Sequence, residues 1–212
     1  MPNALGKPDE GLLVIISGPS GSGKGTVVKG LCREEGFALS ISVTTRNPRV
    51  GEVDGRDYFF KSEDEFHKMR TENAFLEHAI FVGNFYGTPR EYVEEQISLG
   101  KNVVLEIEVQ GALQVRAIFR EAVLVFLLPP SMSELERRLR ARGSEDDVSV
   151  EARLKKAADE LPLARSYNYI VVNEYLSRAV DEIKAIVTAE RLRPIRRAAE
   201  LAAFLDISAT EV

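Results

Sequence analysis

The chain predicts a doubly wound α/β fold, a parallel sheet with helices on both faces, and three observations carry that prediction. Four short apolar runs, LLVIIS at 12–17, NVVLEIE at 102–108, AVLVFLL at 122–128 and YIVVN at 169–173, have the near-continuous hydrophobicity of strands buried on both faces. A helical pattern follows each run, which is the βαβ rhythm of a parallel sheet. The 212 residues are 44% hydrophobic, enough to bury one sizeable core and to support small inserted units.

Taken in order, the first strand runs into GPSGSGKGT at 18–26 and then into a helix from about Gly25. Residues 40–100 break the rhythm. They hold shorter alternating pieces, DYFF and FLEHAIFVG, between turns, and predict a small mixed sheet packed on one helix. Residues 131–165, centred on RRLRARGSEDD, are dense in charge and predict helix, exposed loop, helix. From Tyr175 onward the pattern is helical, with a restart near Pro194. The expected organisation is a core made of 1–39, 100–130 and 166–212, one insert at 40–99 and a second at 131–165.

Charge and cysteine content exclude several classes. A formal charge of −5 argues against a protein with a wholly basic face, so neither nucleic acid nor a membrane surface is an expected partner and any anion site must be local. The single Cys32 cannot form an internal disulfide, and the longest apolar runs fall short of the roughly 20 residues a membrane span needs. A cytoplasmic protein is expected, with a homo-oligomer left open.

The loop after the first strand carries the chemistry. Gly18, Gly23 and Lys24 have the spacing G-x-x-x-x-G-K between a strand and a helix, the context a phosphate-cradling P-loop requires. Gly18, Pro19, Ser20, Gly21, Ser22, Gly23, Lys24, Gly25 and Thr26 would turn backbone N–H groups toward an anion, with the helix N-terminus and the lysine adding positive charge. The hydroxyl that usually follows the lysine, and usually meets Mg²⁺, is displaced by Gly25 to Thr26. A GKGT ending of this kind resembles nucleoside monophosphate kinases and directs attention to a second phosphate site. In TTRNPRVGEVDGRDYFF at 44–60, Arg46 and Arg49 flank an N-P turn and Tyr58 follows. Two guanidinium forks and a phenol suit a dianionic phosphate.

That segment, together with FLEHAIFVGNFYGTP, LEIEVQGA, RRLRARG and YIVVN in the same order, resembles guanylate kinase over residues 12–191. The resemblance implies a P-loop NTPase core, a GMP-binding domain at 40–99, a lid at 131–165, and Mg²⁺-dependent conversion of ATP and GMP to ADP and GDP. It implies a GMP phosphate site of Arg46, Arg49, Tyr58 and Tyr86, and a guanine site of Ser42, Glu77 and Thr88. Glu77 would accept from the adjacent N1–H and amino donors of guanine while Thr88 donates to O6. Glu106 and Glu108 stand where the family usually has aspartates; one is expected on the metal's side and the other on the GMP side, with the order open. Thr26 and Glu106 are the candidate metal contacts, the metal being held mainly by phosphates and water. In the lid the resemblance puts Arg138, Arg142 and Arg153 on the ATP phosphates, and it puts Asn173 near the adenine. Catalysis would rest on Lys24, Arg46 and these lid arginines.

No general base is expected, because a nucleotide phosphate with a second pKa of about 6 is already ionised at neutral pH. Two other functions would leave different traces in the sequence. A kinase for another monophosphate or a sugar phosphate should lack the Glu77 and Thr88 pair, and a non-catalytic phosphopeptide-binding module should lack Lys24 or the lid arginines.

Overall fold

The computed structural model describes residues 10–81, 83–141 and 147–210. A five-stranded sheet in the order β2-β7-β1-β8-β9 forms the centre. Its strands are β1 (Leu13–Ser17), β2 (Phe37–Leu39), β7 (Asn102–Glu106), β8 (Val123–Leu128) and β9 (Tyr169–Val172), and every pairing is parallel. Four of these are the apolar runs of the sequence. The fifth, β2, is three residues long on an edge, too short for a periodicity to declare itself.

Alternation along the strands builds two cores. Leu13, Ile15, Leu105, Leu124 and Phe126 face one side, where helices α3 (Arg90–Ser98) and α4 (Val109–Ile118) supply Val93, Ile97, Ala112 and Val115. Val14, Ile16, Val104, Val125 and Leu127 face the other side, against Val27, Val28 and Leu31 of α1 (Lys24–Leu31) and Ala179, Ile183 and Val187 of α7 (Leu176–Arg191). At about 1.5–3 kcal/mol for each fully buried large side chain, these layers fix the carboxyl ends of β1 and β7, where the chemistry sits.

The second sheet is mixed and four-stranded, in the order β4-β3-β6-β5. It comprises β3 (Val43–Thr44), β4 (Phe59–Phe60), β5 (Phe75–Phe81) and β6 (Asn84–Pro89), with β3 and β4 parallel and the other pairs antiparallel. Helix α2 (Glu63–Thr71) lies on it, its start fixed by a reciprocal capping box: Glu65 N donates to Ser62 Oγ at 3.2 Å and Ser62 N to Glu65 Oε2 at 2.8 Å. Phe66 of α2 is fully buried and stacks on Phe75 and Phe85, with ring centroids at 4.6 and 5.2 Å. Helix α3 falls in the same stretch of sequence, yet it buries its apolar face against the five-stranded sheet. Helices α5 (Met132–Ala141) and α6 (Asp147–Glu160) form a separate small cluster through Leu135, Leu139, Val150 and Ala157. Helix α8 (Ala198–Thr210) ends the described chain, and no helix among the described residues is long and apolar enough to cross a membrane.

Candidate active site

The loop from Gly18 to Thr26 joins the buried end of β1 to α1, so its geometry is set by the core beneath it. Lys24 is only 9% exposed. Its Nζ donates to the carbonyls of Gly18 at 2.6 Å and Pro19 at 3.3 Å, so the ammonium lies across its own loop. Burial lowers its pKa from the ordinary lysine value, and the carboxylates of Glu108, Glu106 and Glu160 oppose that shift.

Neighbouring elements explain two of the loop glycines. At Gly23, φ is +94° and a Cβ would lie 2.3 Å from Asn173 Nδ2. That amide donates to Ser22 O at 2.9 Å. Asn173, placed near the adenine by resemblance, thus holds the loop backbone with its side chain. At Gly25 a Cβ would lie 3.3 and 3.5 Å from the two carboxylate oxygens of Glu106, which is tight. The place of the missing hydroxyl is therefore filled by a carboxylate brought in from β7, whose Glu106 pairs in register with Ile16. Thr26 is exposed on the first turn of α1. Glu106 and Thr26 together offer oxygen donors only, the kind Mg²⁺ takes, and no group of three or more acidic, histidine or cysteine residues among the described residues forms a closed metal cage.

The α5–α6 pair reaches the same loop. Arg138 Nη2 donates to Asn173 O at 3.0 Å and Nη1 to Ser22 O at 3.4 Å, while its Nε is held by Glu134 at 2.7 Å. With Arg137 also bonded to it, Glu134 titrates well below the usual carboxylate range, at about 2. Arg153 Nη1 meets Ser20 Oγ at 2.6 Å. Arg142 lies outside the described residues. Lys156, one turn beyond Arg153, donates to Glu108 Oε2 at 2.6 Å and lies 3.5 Å from the buried Glu160. Glu108 begins α4 but gives that helix no side-chain cap; its other oxygen, Oε1, is 4.0 Å from Lys24. Burial alone would raise the Glu108 carboxyl, and the Lys156 hydrogen bond with the charges of Lys24, Lys156 and Arg153 outweighs it, so its pKa lies below the ordinary value.

The mixed sheet gathers the second set of residues. Arg46 Nη2 is 2.9 Å from both oxygens of Glu52, Nη1 donates to Asn47 O at 2.6 Å, and Tyr86 also hydrogen-bonds the guanidinium. Arg46 lies 5.5 Å from the Tyr58 ring centre, and Tyr58 meets Tyr86 edge-on at 6.1 Å. Glu52 also accepts from Arg49 N at 2.7 Å, closing the turn that carries both arginines. Ser42 precedes β3, and its carbonyl accepts from Phe59 N at 2.9 Å.

Glu77 and Thr88 are directly opposed on β5 and β6. Thr88 Oγ1 donates to Glu77 Oε1 at 2.7 Å in a buried contact. A hydroxyl has one proton, so in this geometry Thr88 orients Glu77 and retains only acceptor capacity for anything else. Glu77 Oε2 lies 3.1 Å from where a Cβ would stand on Gly111, in the first turn of α4. Burial raises the Glu77 carboxyl above its ordinary value, and Thr88 opposes the shift only in part.

The sequence reading missed Glu52, Lys156, Gly111 and Asn173's grip on the loop. Glu52 stands three residues from Arg49 in a turn, a spacing that signals a local hydrogen bond, whereas Lys156 and Gly111 gain their meaning only from long-range packing.

A glycine loop with its lysine at the end of a central parallel strand, arginine-bearing helices over that loop and a second cationic sheet define a P-loop nucleotide kinase. The guanylate kinase family model matches residues 10–190, and the chain belongs to that family. It is 51% identical over 201 residues to the guanylate kinase of Bacillus subtilis strain 168, covering 94% of this chain and 98% of that protein. It is 52% identical over 185 residues to that of Caldanaerobacter subterraneus subsp. tengcongensis, covering 87% and 90%. Among solved structures, guanylate kinase from Anaplasma phagocytophilum superposes with a TM-score of 0.70 at 36% identity, covering 91% of this chain and 92% of that one.

Proposed function

We propose that this chain transfers the γ-phosphoryl group of ATP directly to the phosphate of GMP, giving ADP and GDP with Mg²⁺. The core of 1–39, 100–130 and 166–212 would carry the donor loop, 40–99 would take GMP, and 131–165 would act as the lid. ATP phosphates would lie on the backbone N–H groups of Gly18 to Thr26, with Lys24, Arg138, Arg142 and Arg153 as their cations. Mg²⁺ neutralises phosphate charge when bound, and Glu106 with Thr26 would contact it or its water shell. Arg46, Arg49, Tyr58 and Tyr86 would grip the acceptor phosphate, and Ser42 and Glu77 would read guanine with Glu108 beside them, while Thr88, whose one proton is given to Glu77, would act by orienting that carboxylate in place of the expected donation to O6. The reaction is chiefly a matter of position and charge, and its acceptor is already ionised, so it asks for no covalent intermediate and no general base. A lid that covers the loop would keep water from the γ-phosphoryl group.

The observation that carries the base assignment is Glu77. It is a carboxylate only 8% exposed, bonded by neutral donors of Thr88, with no ion pair among the described residues. Such a group is costly unless further donors reach it, and guanine presents two adjacent ones, N1–H and its amino group, where adenine presents one amino group beside an acceptor nitrogen and no such pair. The test is ADP formation at fixed ATP with GMP, AMP, UMP or dTMP as acceptor. GMP should lead by a factor of about 10² or more; comparable rates with AMP would sink the assignment.

A further inference from the structure

We propose that Lys156 is a positioning residue for the donor site: it holds the Glu108 carboxylate away from Lys24, leaving the Lys24 ammonium available to the ATP phosphates. The proposal rests on the reading of Lys24 as the donor-phosphate lysine.

The geometry divides one carboxylate between two ammonium groups. Glu108 Oε2 accepts from Lys156 Nζ at 2.6 Å, a full hydrogen bond, whereas Oε1 stands 4.0 Å from Lys24 Nζ, an ion pair without one. Lys24 spends its donors on Gly18 and Pro19 carbonyls instead. The Glu108 side chain makes no capping bond to α4 that would hold it in place. Its carboxylate and a phosphate oxygen are competing anions for the same lysine, and a carboxylate fixed on the protein enters that competition at high effective concentration. Lys156 sits on α6 one turn from Arg153, which itself touches the loop at Ser20, so the same helix that delivers an arginine to the loop draws the competing anion off the loop lysine. Glu160 is the second neighbour of Lys156, at 3.5 Å, and helps to place it.

The experiment is a double-mutant cycle on the whole 212-residue chain, read as the affinity for a non-hydrolysable ATP analogue with Mg²⁺ and without GMP. Lys156→Met should weaken binding about threefold to fivefold, the range of a partly exposed ion pair. Lys156→Arg, which keeps the charge within reach of Glu108, should bind like the wild type. Glu108→Gln should change binding little when Lys156 is present and improve it about threefold to fivefold in the Lys156→Met background. A purely structural role for Lys156 would leave the double variant as weak as the single one, and a general effect of net charge would make Glu108→Gln equally beneficial in both backgrounds. Either result overturns the proposal. Failure of the wild-type chain to bind the analogue would overturn the donor-site reading and this proposal together, whereas normal wild-type binding with an additive cycle overturns this proposal alone.

Discussion

Lys24 and Arg46 are each proposed to grip a phosphate, yet the two regions hold their cations differently. Lys24 is buried and rests on carbonyls of its own loop, in a contiguous stretch of nine residues at the end of a core strand. Arg46 comes from a loop beside a small sheet, is held by the carboxylate of Glu52, and meets partners spread from Asn47 to Tyr86. A carbonyl orients a cation without neutralising it, whereas a carboxylate both orients and neutralises. The donor loop would therefore keep more of its charge for a ligand, since Glu108 stands 4.0 Å from Lys24 without a hydrogen bond, whereas the acceptor sheet would share Arg46 between Glu52 and a phosphate.

The largest expected effect breaks the donor side alone. Lys24→Ala removes the one side-chain charge within the loop itself, and turnover should fall about 10²- to 10³-fold, the scale for loss of one preorganised donor to developing charge. Thermal unfolding should still be cooperative. Near-normal kcat in a folded variant would remove the loop lysine from the mechanism.

A pair of glycine variants sharpens the contrast in rigidity. Gly23 and Gly51 share nearly the same backbone, with φ of +94° and +89°, but a Cβ on Gly23 meets Asn173 at 2.3 Å and one on Gly51 meets nothing within 4 Å. Gly51→Ala should cost only the left-handed backbone penalty, about 1–2 kcal/mol. Gly23→Ala should cost more, about 3 kcal/mol in all, because it also pushes out the amide that holds Ser22 O. Denaturant midpoints measure both. Equal losses would mean that the donor loop is no more tightly packed than the exposed turn.

The same contrast explains what the sequence could tell. The donor loop was legible because its spacing is contiguous and sits between an apolar run and a helix; a mechanism follows from nine residues. Strands β1, β7 and β8 were legible because burial on both faces leaves no polar alternation; β9, expected to be buried on both faces as well, is an edge strand that exposes Ile170 and Val172 and was legible only because those exposed positions are apolar. Strand β2, at three residues, left no such trace. The proposed acceptor-phosphate grip showed in part, as two arginines and a tyrosine in one segment, but the proposed guanine pair was legible only by resemblance, because Glu77 and Thr88 are eleven positions apart and face each other only through the β5–β6 register. Least legible were residues whose role is to hold another residue. The spacing of Glu52 signals its turn bond to Arg49 N but not its grip on the Arg46 guanidinium, and nothing in the spacing of Lys156 or Gly111 says which side chain each will meet, since that is decided by tertiary packing.

The acceptor side has its own test in base choice. In Glu77→Gln one acceptor oxygen becomes an NH₂ that would face a guanine donor, so a charge-assisted bond is lost and two donors are opposed. The ratio of kcat/KM for GMP to that for AMP should fall about 30-fold, near 2 kcal/mol. An unchanged ratio would show that Glu77 does not read the base.

The smallest effect is also expected from Glu77→Gln, in the opposite direction and in the absence of any nucleotide. Burial lifts the Glu77 carboxyl above its ordinary value of 4.5, so between the unfolded and folded pKa the native state binds more protons than the unfolded one. Stability then falls as pH rises through that window, and the cost of the buried charge is complete above the folded pKa. Glutamine carries no charge and its carbonyl still accepts from Thr88 Oγ1. The variant should therefore be more stable than the wild type at pH 7–8, by on the order of 1 kcal/mol or about 2–4 °C in Tm, and the advantage should vanish below about pH 4. Lys24 allows no comparable gain, because its ammonium satisfies loop carbonyls that alanine would leave without that donor. Melting curves of wild type and Glu77→Gln from pH 4 to 8 decide the matter. A Tm difference that is absent at every pH, or largest in acid, would mean that the buried carboxylate costs the fold nothing, and that Glu77 belongs to the scaffold of the mixed sheet.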